Sequence, residues 1–136
     1  MAKVFLDTSI FIYQLDKRDP GKQRTCRELV REHASQGQAV VSTQILQEFY
    51  VSATGKLRLD ALFVKNIMRT LENMEVVTVG ADLIHEAIDT SVQHKLSFWD
   101  ALVIAAAQSA NCRLLYSEDM NAGQTVRNVK ITNPFR

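Results

Sequence analysis

Lys3-Val4-Phe5-Leu6-Asp7-Thr8-Ser9 is the stretch that decides how this chain folds. Val4, Phe5 and Leu6 form an apolar run too short for a buried helix, and it reads as a short buried strand ending on a carboxylate. An apolar pattern resumes at once over residues 10–15, as a first short helix. A buried strand that turns directly into a helix is the opening unit of an α/β fold.

The same alternation continues outward. Asp19-Pro20-Gly21 is a turn signal. Residues 22–35 read as a helix with Cys26, Leu29, Val30 and His33 on one side, ended by Gly37. Residues 39–41 form a second strand. Ser42 or Thr43 then caps a helix reaching about Ala53 and stopped by Thr54-Gly55. Asp60 opens another helix, with Leu62, Phe63, Ile67, Met68 and Leu71 as its apolar stripe. Residues 76–79 are a third strand. The helix over 81–94 is expected to turn Leu83, Ile84, Ala87, Ile88 and Val92 inward. Ser97 caps a helix to about Ala110, a fourth strand spans 113–116, and 128–132 is a fifth. The expectation is one α/β domain over residues 1–136, a four- to five-stranded mostly parallel sheet with helices on both faces.

Composition agrees. The 136 residues suit one domain, and 46% hydrophobic with 23% charged content suits a folded core. No apolar run approaches the roughly 18 residues that span a bilayer. The chain opens on a strand and not on a signal segment, so a cytoplasmic protein with no membrane partner is expected. Cys26 and Cys112 stand far apart and read as buried free thiols. His33, His85 and His94 have no zinc-binding spacing. Net charge is +1, yet Lys17, Arg18, Lys22, Arg24, Arg27 and Arg31 crowd one stretch, and Lys56, Arg58, Lys65 and Arg69 form a looser one. A solvated helix face and a phosphate-contacting rim fit these residues equally.

Four acids stand at chemically suggestive places: Asp7, Glu48, Asp100 and Asp119. In open parallel sheets the ligand crevice lies beyond the carboxyl ends of the strands, where Asp7 and Asp119 fall. Each also has an ordinary reading. Asp7 can cap the next helix, and Asp119 sits in the turn-prone Ser117-Glu118-Asp119-Met120-Asn121. Asp100 has capping-box spacing from Ser97, but it opens a helix that is apolar all round through Ala107, which places it at the mouth of the core. Glu48 borders a buried stripe near Ile45 and Phe49. Gathered together, four carboxylates would repel one another at neutral pH, and a divalent cation is the usual remedy.

Taken jointly, these motifs resemble the PIN-domain ribonucleases. Phe5-Leu6-Asp7-Thr8-Ser9, Gln47-Glu48-Phe49, Leu96-Ser97-Phe98-Trp99-Asp100-Ala101-Leu102 and Tyr116-Ser117-Glu118-Asp119 stand where that family carries its acids. The likeness runs to Thr132-Asn133-Pro134-Phe135 and is greatest to the stand-alone VapC-type toxins of prokaryotic toxin–antitoxin pairs. Asn121 departs from relatives that offer a further acid there.

The resemblance implies a PIN-like fold and an endoribonuclease using Mg²⁺, with Mn²⁺ as a substitute. Asp7, Asp100 and Asp119 would hold the metal. Glu48 would bind a second ion or take a proton from the attacking water. Thr8, Ser9 and Ser117 would make supporting hydrogen bonds or phosphate contacts. Structured RNA, a cognate antitoxin and a second copy of the chain are the implied partners, with Tyr13, Phe49, Tyr50, Leu62 and Phe63 as candidates for the antitoxin groove. A non-catalytic PIN-like module that binds RNA or a partner is the alternative. An aspartyl phosphatase would need a second Asp where Ser9 stands, and a receiver domain would need a paired acid near the N-terminus, a central phosphoacceptor Asp and a late Lys, which cannot all be placed.

Overall fold

A computed structural model describes residues 2–136. Strand β1 (Lys3–Leu6) leads into helices α1 (Thr8–Leu15) and α2 (Pro20–Ser35). Strand β2 (Ala39–Ser42) leads into α3 (Thr43–Gly55) and α4 (Ala61–Leu71), and β3 (Glu75–Val77) into α5 (Ala81–His94) and α6 (Phe98–Ser109). Strand β4 (Cys112–Tyr116) and the hairpin of β5 (Thr125–Val126) and β6 (Val129–Thr132) complete the fold.

The sheet runs in the order β3-β2-β1-β4-β6-β5. Every neighbouring pair is parallel except β5 with β6. Successive strand residues point to opposite faces. Val4, Phe5 and Leu6 are all buried, as are all four residues of β2, so helices cover both faces of the central strands. The chain steps from β1 outward to β2 and β3, then returns to place β4 on the other side of β1. That reversal opens a crevice beyond the carboxyl ends of β1 and β4.

The sequence-based caps are in place. Asp7, Ser42, Asp60 and Ser97 each accept a backbone N–H at the start of a helix, and Asp19, read as part of a turn, caps α2 as well. Helix α6 is buried from Ala101 through Ala107, as its all-apolar composition requires. Cys26 and Cys112 are free and buried. Among the described residues no helix is long and apolar enough to cross a membrane.

Three local expectations are corrected. The sheet has a sixth strand, because Thr125-Val126 folds back on Val129-Lys130 through Arg127 and Asn128 at φ 51° and 67°. Positive φ at both turn residues suits a two-residue hairpin, but Arg-Asn is a weak signal for one. In α5 the buried positions are Ala87 and Thr90, with Leu83 partly covered, while Ile84, Ile88 and Val92 are exposed. Ala87 packs beside Ala101 and Ala105 of α6, and this small-residue seam takes the place of the larger apolar stripe. In α4 the inward side is Val64, Ile67, Met68 and Leu71, and Leu62 and Phe63 face solvent.

Candidate active site

Asp7, Glu48, Asp100 and Asp119 line one open cavity of about 760 Å³, together with Thr8 and Ser9. They arrive on four elements: the end of β1, the middle of α3, the first turn of α6 and the loop after β4. The Asp7 N–H donates to the Tyr116 carbonyl at 3.1 Å, which ties the ends of β1 and β4 together at the switch point.

Asp7 is only 8% exposed. Its Oδ1 accepts from the Thr8 N–H at 2.8 Å and its Oδ2 from Ser117 Oγ at 2.7 Å. Burial pushes its carboxyl up to about 6; the two hydrogen bonds pull it down, and the charges of Glu48 and Asp119 add to the rise. Asp100 is also raised, by burial and then by Asp119 and Glu48, with Ser97 opposing. The charges of Glu48 and Asp119 therefore bear on both Asp7 and Asp100. Ser117 does not reach the cavity. It is fully buried behind Asp7, and its Oγ also accepts the Asp119 N–H at 3.2 Å.

Glu48 is held from two sides. Thr8 Oγ1 donates to its Oε1 at 2.7 Å, and Gln44 Nε2 donates to its Oε2 at 3.2 Å. Glu118, by contrast, is engaged elsewhere. Its Oε1 accepts from the Tyr13 hydroxyl at 2.6 Å, and its Oε2 pairs with Lys22. Asn121 is exposed and does not line the cavity.

The donor set suits a hard divalent cation. Ion pairs join Lys3 to Glu75, Arg18 to Asp16, Lys22 to Glu118 and Arg127 to Glu86; among the described residues none reaches the four acids. Ser9 Oγ and Gln44 Oε1 are buried without a partner, and both residues line this cavity. As the side chains stand, no three His, Cys, Asp or Glu among the described residues already form a metal ligand set. A cation that keeps several of its waters, as Mg²⁺ does, suits carboxylates spaced in this way.

A family model for the PIN domain matches residues 4–126. The chain belongs to the PIN-domain family. No curated protein matches it. Among solved structures it is similar to Mycobacterium tuberculosis VapC20, a sarcin-ricin loop cleaving toxin, at 23% identity and TM-score 0.69, covering 86% of this chain and 92% of that one. A Klebsiella pneumoniae toxin–antitoxin complex gives 17% identity and TM-score 0.72, covering 97% and 98%. A DNA-bound VapBC from Salmonella typhimurium gives 14% and 0.71, covering 98% and 99%. At these identities the likeness is one of fold.

This PIN domain also places residues at the cavity that sequence reasoning passed over. Gln44 is a buried amide that bonds Glu48 one turn along its own helix and the distant Trp99 carbonyl, and Asp16 follows α1 and is clamped by Arg18 at 2.9 Å. Of the basic clusters, Arg18 and Lys56 are the two residues that line the cavity. Lys22, Arg24, Arg27 and Arg31 do not. Of the candidate groove aromatics, Phe49 is fully buried in the core and is excluded from any groove, while Tyr50, Leu62 and Phe63 are exposed.

Proposed function

We propose that this PIN domain is a divalent-cation-dependent endoribonuclease of the VapC toxin type, held inactive by a cognate antitoxin. The observation that carries the proposal is the convergence of Asp7, Glu48, Asp100 and Asp119 on one cavity with no basic partner among the described residues.

In this reading Asp7, Asp100 and Asp119 hold the cation, directly or through its waters, and Glu48 stands beside them. A bound Mg²⁺, or Mn²⁺ in its place, would offset the clustered negative charge and polarise the scissile phosphodiester. The chain's own residues do the rest. Thr8 and Gln44 fix Glu48, which takes the proton of the attacking water. Water attacks phosphorus, the bond to the 3′ oxygen breaks, that oxygen takes up a proton from solvent, and the products carry 5′-phosphate and 3′-hydroxyl ends. Ser9 Oγ, buried and unpartnered, is free to donate to a phosphate oxygen. Arg18 and Lys56 balance the flanking phosphates.

RNA and an antitoxin are the partners we assign, with the antitoxin meeting the exposed side chains of Tyr50, Leu62 and Phe63. A second copy of the chain is the expected partner for the exposed Ile84, Ile88 and Val92 of α5.

RNA end-mapping after expression of wild type and Asp100→Asn tests the activity. A discrete set of 5′-phosphate ends, present with wild type and lost with Asp100→Asn, is the expected result. Equal cleavage by the two proteins, or no cleavage by purified wild type in Mg²⁺ or Mn²⁺, would overturn it.

A further inference from the structure

We propose that Trp99 is a stacking platform for an unpaired RNA base beside the scissile phosphate, a role that rests on the nuclease reading above. Trp99 is the chain's one tryptophan and directly precedes Asp100. It lines the same cavity as the four acids and is 61% exposed.

Its placement is held. Phe98 packs edge-on against the indole, with ring centroids 5.1 Å apart and planes at 75°. The Gln44 side-chain amide donates to the Trp99 carbonyl at 3.3 Å and to Glu48 at 3.2 Å. That one amide therefore links the backbone of the exposed indole to an acid of the site. Its orientation follows from chemistry: reversed, its oxygen would face a carbonyl and a carboxylate, both acceptors. Gln44 is 4% exposed, and its Oε1 is left without a partner at the cavity wall.

The surroundings choose the ligand. The other aromatic at the cavity is Tyr13, and its hydroxyl is bound to Glu118 while Lys22 and Phe135 pack on its ring. Trp99 therefore offers the open aromatic face. Arg18 and Lys56 line the same space and suit phosphates. Gln44 Oε1 accepts from an N–H or O–H, which bases and ribose both carry. A flat ring, a phosphate-binding rim and an unpaired acceptor together fit a nucleotide better than an apolar peptide side chain. Single-stranded RNA supplies such a base, whereas in a duplex both faces are covered by neighbours.

Because Trp99 is the sole tryptophan, its fluorescence reports the contact directly. The full chain carrying Asp7→Asn, to prevent turnover, is titrated with an eight-nucleotide single-stranded RNA and with copies made abasic at one position each. The expected results are a saturable quench and one abasic position that weakens binding about 5- to 100-fold. Trp99→Ala and Trp99→Phe lack the fluorophore and are read by the anisotropy of a 5′-labelled copy of the RNA: Trp99→Ala weakens the intact probe by a similar factor and no longer distinguishes it from that abasic copy, and Trp99→Phe recovers most of the loss. The proposal is overturned if every abasic copy binds like the intact RNA, or if Trp99→Ala loses the same factor against all probes. Cleavage that needs Asp7 but keeps its KM in Trp99→Ala also overturns it and leaves the nuclease reading intact. Stacking without any Mg²⁺- or Mn²⁺-dependent cleavage has the opposite meaning.

Discussion

Ser117 Oγ donates to Asp7 Oδ2 at 2.7 Å, a buried bond between residues 110 positions apart. It joins the ends of the two strands that flank the switch point, and it delivers a donor to a carboxylate that burial would otherwise drive toward neutrality. Ser117→Ala removes that donor and leaves a buried acceptor short of a partner. The expected cost is about 1–3 kcal/mol at pH 7, read from urea unfolding. The folded Asp7 carboxyl would also rise further, so the acid limb of the pH–rate profile should move to higher pH. An unmoved limb would separate Ser117 from the titration of Asp7.

Asp7 itself is predicted to cost the fold stability at neutral pH. Its carboxyl is raised from 3.8 to about 6 on folding. Below about pH 4 both states hold the proton and the penalty vanishes. Between there and pH 6 the unfolded chain ionises first, so stability falls as pH rises, by about 3 kcal/mol in all. Asp7→Asn removes the charge, and it should be more stable than wild type by about 1–3 kcal/mol at pH 7 with little difference at pH 4. Mg²⁺ should raise the melting temperature of wild type and leave that of Asp7→Asn nearly unchanged. A variant less stable than wild type at both pH values would contradict this.

Thr8→Val tests how Glu48 is held. Valine keeps the shape of threonine but loses the 2.7 Å bond to Glu48 Oε1, leaving Gln44 as the remaining hydrogen-bond partner. Outer partners of metal-site acids are typically worth roughly 10- to 100-fold in affinity or activity. The expected loss lies in kcat, with KM within about twofold, because Thr8 acts through an acid and not on the flanking RNA. A loss confined to KM would place Thr8 on the substrate instead.

Asp7, Asp100 and the alternation of strands with helices were legible because each leaves a local mark: an apolar run ending on an acid, or an acid three residues after the cap Ser97. The burial of α6 was legible because it has no polar face. Gln44 was not, since its contact with Trp99 spans 55 residues and no local pattern encodes it. The face of α5 was misread because Leu83-Ala87-Thr90 and Ile84-Ile88-Val92 both repeat with helical spacing, and only the small residues of α6 decide between them. Lys22 sits in a basic run that suggests a solvated helix face, yet its amine is packed between two rings and a carboxylate.

That Lys22 contact leads to the last prediction. Lys22 Nζ pairs with Glu118 Oε2, donates to the Tyr13 hydroxyl at 3.3 Å, and lies 4.9 Å and 5.0 Å from the ring centroids of Tyr13 and Phe135. The cluster fastens α1, α2 and the C-terminal segment to the loop that carries Asp119. Burial raises the Glu118 carboxyl, but Lys22 and Tyr13 outweigh it and hold it below its ordinary value. Its share of stability is thus present above the unfolded value of 4.5 and is lost as pH falls through the folded one. Lys22→Met keeps the length of the stem and removes the charge. It should lower stability at pH 7 and do so less as the pH falls and Glu118 takes up its proton. Tyr13→Phe should also lower stability, by losing the hydrogen bond it donates to Glu118 and the one it accepts from Lys22. Loosening the loop should also lower kcat several-fold, because Asp119 directly follows Glu118. Urea unfolding from pH 7 downward, paired with cleavage assays, checks both parts, and a cost that does not change with pH would show that the Lys22 contribution is packing and not charge.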